Sequence, residues 1–212
     1  GPLIQYATLK EYVKKNIKNI VWIYYDGNDI ADLNGELGSV MLRKYLDKNF
    51  SQNLIKKQKQ IDKINKHFLE KEMLVLEQEE INNKSIELFS FFLNFLKLSK
   101  TRSLFISSTN PKNTKLYEIL KMSKDLSDKN NSNFYFIYLP ANKNFLGKKN
   151  THYDALKEII SSLDIYFIDI NKEVFEKEKN PMKLFPFETL LHYNNLGYLK
   201  ISQAIYKLTS KK

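Results

Sequence analysis

No cysteine occurs among the 212 residues, which excludes disulfide cross-links and thiolate metal sites and leaves the redox compartment open. Arginine is nearly absent: Arg43 and Arg102 are the only two, so 32 of the 34 basic residues are lysines. Base-edge readout in nucleic acids leans on the bidentate fork that arginine alone supplies. A net charge of +10, carried by lysines scattered among Glu, Asp and Asn, therefore reads as a solvated surface and not as a nucleic-acid groove. No stretch reaches the ~18 apolar residues of a membrane span. The nearest, residues 88–98 (LFSFFLNFLKL), is interrupted by Ser, Asn and Lys and reads as a buried or interfacial helix. The opening residues, Gly1-Pro2-Leu3-Ile4-Gln5-Tyr6, show neither an initiator Met nor the basic-then-apolar plan of a signal peptide. Zinc-type spacing of His and carboxylates is missing as well, so His67 and His152 read as surface residues and no metal or cofactor is expected.

What is present is enough for a core. With 42% hydrophobic residues, the chain fits one domain over 1–212 better than two. Three apolar runs, 20–25 (IVWIYY), 134–139 (FYFIYL) and 165–170 (IYFIDI), are continuous and not alternating, the pattern of parallel strands buried on both faces. Helical patterns separate them: 3–18, with Leu3, Tyr6, Leu9 and Val13 on one face; 114–126, with Leu116, Ile119, Leu120 and Met122; then 152–163 and 196–208. This alternation argues for an α/β sandwich with a mainly parallel sheet and right-handed crossovers. Residues 34–100, rich in Lys, Glu, Gln, Leu and Phe and free of Pro, carry no convincing strand and read as a helical insertion. Its apolar positions Ile61, Ile64 and Phe68, and later Phe89, Phe92, Leu93 and Leu96, fit a helix or helical hairpin lying on the domain. The sustained heptads that a coiled-coil partner would need are absent. Residues 104–107 (LFIS) are equally compatible with a short strand and a helix end.

Two short motifs stand out at opposite ends of the chain. Tyr25-Asp26-Gly27-Asn28-Asp29 follows the first apolar run, where the carboxyl edge of a parallel sheet meets a crevice. An Asn amide there can donate to the oxyanion of a tetrahedral intermediate, an interaction typically worth ~3–4 kcal/mol of transition-state stabilisation. Asp-Gly-Asn is also ordinary turn chemistry, but no second strand follows to complete a hairpin. The other motif, His192-Tyr193-Asn194-Asn195-Leu196-Gly197-Tyr198, precedes the last helix, with Asn194 or Asn195 as its N-cap. A His on a loop fixed by a helix can project into the crevice as a general base. The two candidate residues are 164 positions apart (192 − 28), a pairing that hydrophobic burial alone does not require.

Taken together, these residues resemble the later sequence blocks of the SGNH (GDSL-type) hydrolases, over nearly the whole chain. In that family an early Gly-Asp-Ser block gives the nucleophile. A second-block Gly and the Asn of a Gly-x-Asn-Asp block form the oxyanion hole, and an Asp-x-x-His block supplies acid and base. Asn28-Asp29 matches the third block and His192 the last, while Gly1-Pro2-Leu3 before the helix containing Leu9-Lys10-Glu11-Tyr12 resembles the second. The resemblance implies a three-layer flavodoxin-like sandwich, N-terminally incomplete, in which Asn28 and Gly1 bind the oxyanion and His192 is the base. It implies an acyl-ester substrate, of which an acylated glycan is one family-level example, and no cofactor. It also points to the cell envelope or another extracytoplasmic location, and leaves oligomeric state open. Departures are equally visible. Thr189 stands where the acid belongs, with Glu188 one place early; Asp26 occupies the Gly position two before Asn28. No Gly-Asp-Ser occurs, and Ser107-Ser108 fall after the third block, in the wrong order. Without an activated hydroxyl no acyl-enzyme forms. The expectation is thus the carboxyl-terminal part of a serine esterase or acyltransferase, with the strand at 20–25 left uncovered on one edge. The alternative is an inactive module of the same fold that binds a glycan or a protein.

Overall fold

A computed structural model describes residues 1–82, 114–147 and 152–210. The chain divides into two compact units, 1–50 with 109–212, and 51–108.

The first unit opens with α1 (Pro2–Tyr12), which has Pro in its first turn and ends where Val13 turns extended. The helix is shorter than the 3–18 pattern, because Val13 leaves the helical region and Asn16 adopts a left-handed φ of 65°. Next come β1 (Asn19–Tyr25), α2 (Asp29–Glu36) and α3 (Val40–Arg43). In the second unit α4 spans Leu54–Asn82, with Ile64, Phe68, Leu69 and Met73 exposed. The chain then continues through α5 (Thr114–Lys129), β2 (Asn133–Leu139), α6 (Tyr153–Ser162), β3 (Tyr166–Asp169), α7 (Ile170–Glu173) and α8 (Asn195–Thr209).

The three strands form a parallel sheet in the order β1-β2-β3. Trp22 pairs with Phe136, and Phe136 in turn with Phe167. One face buries Trp22, Tyr24, Phe134, Phe136 and Tyr138 under Leu3 and Tyr6 of α1, Ile119 and Leu120 of α5, and Leu156 and Ile160 of α6. Its rings form a ladder across the strands, with centroids 5.5 Å apart for Tyr24 and Phe136 and 6.2 Å for Phe136 and Phe167. Each such pair adds roughly 0.5–1.5 kcal/mol beyond its area burial. The other face buries Tyr135, Ile137, Leu139 and Ile168 against Phe175, Phe185, Tyr193 and Ile201. The fold class is α/β with a parallel sheet, and both faces of its central strand are buried.

Two expectations are revised. β1 alternates instead of burying both faces: Val21 is 40% and Ile23 45% exposed, because the second core centres on β2 and β3 and takes from β1 only the partly buried Tyr25. Among the described residues β1 also pairs on one edge only. The segment 34–100 is not one insertion. Tyr45 is buried, its hydroxyl donating to Glu11 Oε1 at 2.8 Å, and Leu37, Leu42, Leu46 and Phe50 pack on the first core, so residues up to Phe50 belong with the sheet. The second unit starts at Ser51, and its described part is the single helix α4. Phe89, Phe92, Leu93, Leu96 and residues 104–107 lie outside the described residues.

Candidate active site

The site is assembled at the carboxyl ends of β1 and β2. Past Tyr25 the ladder continues for one step, with the Asp26 N–H donating to the Leu139 carbonyl at 3.0 Å. The chain then turns, Asn28 N–H reaching back to Tyr25 O at 3.4 Å, and enters α2, where Asp29 Oδ2 accepts from the Tyr25 N–H at 3.0 Å. Gly27 is required sterically: a Cβ there would stand 2.1 Å from Cε1 of Tyr25, so the absence of a side chain lets the phenol ring lie over the turn.

That ring joins the two motifs. It stacks on His192 with centroids 5.5 Å apart and planes 28° from parallel, meets Tyr193 edge-on at 6.1 Å, and its hydroxyl donates to the Leu191 carbonyl. Burial, first, and nearby Tyr198 and Asp26 push the Tyr25 phenol up to about 12, so it remains a neutral donor. The His192 loop is held at further points. Asn142 Nδ2 donates to Thr189 O at 2.8 Å and to Leu190 O at 3.3 Å, and the Tyr193 hydroxyl donates to Pro140 O. Asn194 caps α8 by accepting from Gly197 N–H at 2.9 Å, while its Nδ2 donates to Lys183 O at 2.7 Å. His192 itself is exposed, and among the described residues no carboxylate bonds to it.

Asn28 sits at the N-cap of α2, with its Nδ2 donating to Asp32 Oδ2 at 2.8 Å. An amide nitrogen carries two donors, so one remains for a ligand. Gly1 is drawn to the same helix: its nitrogen is 2.9 Å from Glu36 Oε1 and 3.9 Å from Asp32 Oδ2, and Glu36 Oε2 accepts from Leu3 N–H at 2.8 Å. A Cβ at Gly1 would lie 2.6 Å from Asp32 Cβ. Asp32 therefore links Gly1 and Asn28, and Tyr25 links their strand end to His192. Glu188 is elsewhere: its Oε2 accepts from Asn180 Nδ2 at 3.3 Å and does not reach His192. His67 lies on α4 and His152 at the start of α6. Ser107 and Ser108 lie outside the described residues.

Residues not singled out from the sequence complete the arrangement. Lys143, from the turn after β2, donates to Asp26 O at 3.1 Å and stands 3.9 Å from Asp26 Oδ2. Asp29 is 7% exposed, and its carboxyl is pushed up to about 6. Desolvation is the main cause, helped by Asp32 and Glu36 and opposed by the Tyr25 N–H. Tyr25 had a sequence signal, the terminal position of its strand; Lys143 had none, because its partner is 117 residues away. Among the described residues no three His, Cys, Asp or Glu side chains form a metal-holding group, and no helix is long and apolar enough to cross a membrane. No family model, no curated protein and no solved structure matches the chain.

Proposed function

We propose that this chain carries the oxyanion and general-base half of an SGNH-type serine ester hydrolase or O-acyltransferase, built on a flavodoxin-like sheet. The observation that carries the reading is the Tyr25 clasp, which holds the His192 loop against the strand end bearing Asn28. In this reading a serine attacks the acyl carbonyl and His192 takes its proton. The free amide proton of Asn28, with the Gly1 nitrogen, receives the oxyanion. Water or an acceptor hydroxyl then releases the acyl group from the serine. In this reading the serine belongs to a Gly-Asp-Ser block that these 212 residues do not contain, carried on a strand beside β1, which among the described residues pairs on one edge only. Glu188 does not take the acid's place in this reading, since it is bonded to Asn180. An acyl ester on a glycan is the substrate class suggested by the family likeness alone.

A second reading, a catalytically inactive module that binds a glycan or a protein in the same crevice, is favoured by the engagement of Asn28 with Asp32 and by the lack, among the described residues, of a carboxylate on His192. A fluorophosphonate probe separates the two. Applied to the native gene product, it should label a serine, with labelling and hydrolysis of a p-nitrophenyl ester both lost in His192→Ala. A native product that neither labels nor hydrolyses would leave the binding module.

A further inference from the structure

Midway along α4 the chain shows apolar side chains to solvent. Ile64 and Phe68, four positions apart, share a face of the helix, and Leu69 and Met73, also four apart, lie beside it. All four are 59–60% exposed, so nothing among the described residues covers them. No sustained heptad runs through the helix, which suits two helices that cross over a few turns and not a long supercoil.

The charges of the same helix indicate its occupant. Residues 54–69 carry five lysines against Asp62, a net +4, and residues 70–82 carry five glutamates against Lys71, a net −4. Lys66 and Glu70 stand 3.8 Å apart where the halves join. This order opposes the helix dipole, which favours acids in the first turn and bases in the last; α4 has neither. The segregation therefore costs a lone helix stability, yet it makes the helix complementary to a second copy of itself laid antiparallel. Phe68 is the midpoint of Leu54–Asn82, so copies crossing there bring Lys56 and Lys57 of one level with Glu80 and Glu79 of the other. A parallel copy would set lysines against lysines. The chain's own apolar run 88–98, turned back along α4, would bring Lys97, Lys100 and Arg102 towards the basic half. Charge thus selects the antiparallel second copy over both.

We propose that α4 is a self-association surface, on which a second copy of this chain lies antiparallel across Phe68 in a two-fold dimer. The inference stands apart from the esterase reading, and its test needs no catalytic readout. The full chain is studied by sedimentation equilibrium up to about 100 μM, where a dimer of micromolar affinity is largely formed. The apparent mass should climb from 25.1 kDa towards twice that value. Phe68→Ser should weaken the association about tenfold or more. Reversing three lysines (Lys56→Glu, Lys57→Glu and Lys59→Glu) should weaken it severalfold, and so should reversing three glutamates (Glu77→Lys, Glu79→Lys and Glu80→Lys). All six changes together keep the net charge at +10 and restore an antiparallel match, so that variant should associate as wild type does. Circular dichroism should show the helix retained in every variant. A wild type that stays at 25.1 kDa would overturn the proposal and leave the apolar face to residues 88–98 of its own chain. So would a sextuple variant that associates no better than either triple, or a Phe68→Ser chain that associates like wild type, which would place the contact elsewhere.

Discussion

Replacing Asp29 with asparagine isolates the cost of a buried charge at the site. The Asp29 carboxyl titrates at about 6 in the fold against an ordinary 3.8, mainly because burial disfavours its ionised form. The folded state therefore binds this proton more tightly than the unfolded chain. Its contribution to stability is full below 3.8 and lost as pH rises through about 6. At about 1.4 kcal/mol per pKa unit, keeping Asp29 ionised at neutral pH costs the fold roughly 3 kcal/mol, of which about 2 accrues between about pH 4.5 and about pH 8. Asparagine keeps the shape and can still accept the Tyr25 N–H bond that Asp29 Oδ2 now holds, but it does not ionise. Urea unfolding can be followed through Trp22, the sole tryptophan, which is buried in β1 and reports on the sheet. The stability of Asp29→Asn relative to wild type should rise by about 2 kcal/mol between about pH 4.5 and about pH 8, because every other titrating group cancels in the difference. A difference constant with pH to within about 0.5 kcal/mol would refute the assignment of a raised pKa to this carboxyl.

Tyr25→Phe keeps the ring on His192 but removes the donor to Leu191 O; it should cost about 0.5–1.5 kcal/mol, with faster hydrogen exchange at the amides of 190–194, and unchanged exchange there would show that the hydroxyl does not hold the loop. Gly197→Ala runs against helix propensity, where alanine is better than glycine by about 1 kcal/mol. The new Cβ would lie 2.6 Å from Leu184 O and 3.0 Å from Tyr193 Cβ, so a net loss of about 1–3 kcal/mol in urea unfolding is expected, and a gain would mean that α8 shifts freely.

The central strand was legible because its run is apolar throughout: 134–139 became β2, extended only by Asn133, whereas 165–170 shortened to β3 with Tyr166 exposed, and Leu116, Ile119, Leu120 and Met122 of α5 are buried as their spacing requires. The one-sided burial of β1 was not, since IVWIYY reads alike at a centre and at an edge, and only the neighbouring elements decide which face is covered. Tyr45 was missed for a similar reason: one anchoring tyrosine in a lysine-rich stretch gives no periodic signal, yet its bond to Glu11 ties that stretch to the core. At the site, local spacing pointed to Asn28 and His192 but not to how they are joined. Tyr25 to Leu191 and Asn142 to Thr189 are contacts across 166 and 47 positions, which sequence spacing does not encode.

The clasp on the His192 loop has a property that bears on its evolution and redesign. Tyr25 and Asn142 grip main-chain carbonyls, those of residues 189, 190 and 191, and no side chain of those residues takes part. Any amino acid with a carbonyl satisfies such a grip. The side chains at 189–191 are therefore free to change while the histidine stays at its station, so the surface beside His192 can be rewritten by exchanging three neighbours without rebuilding the scaffold that holds it.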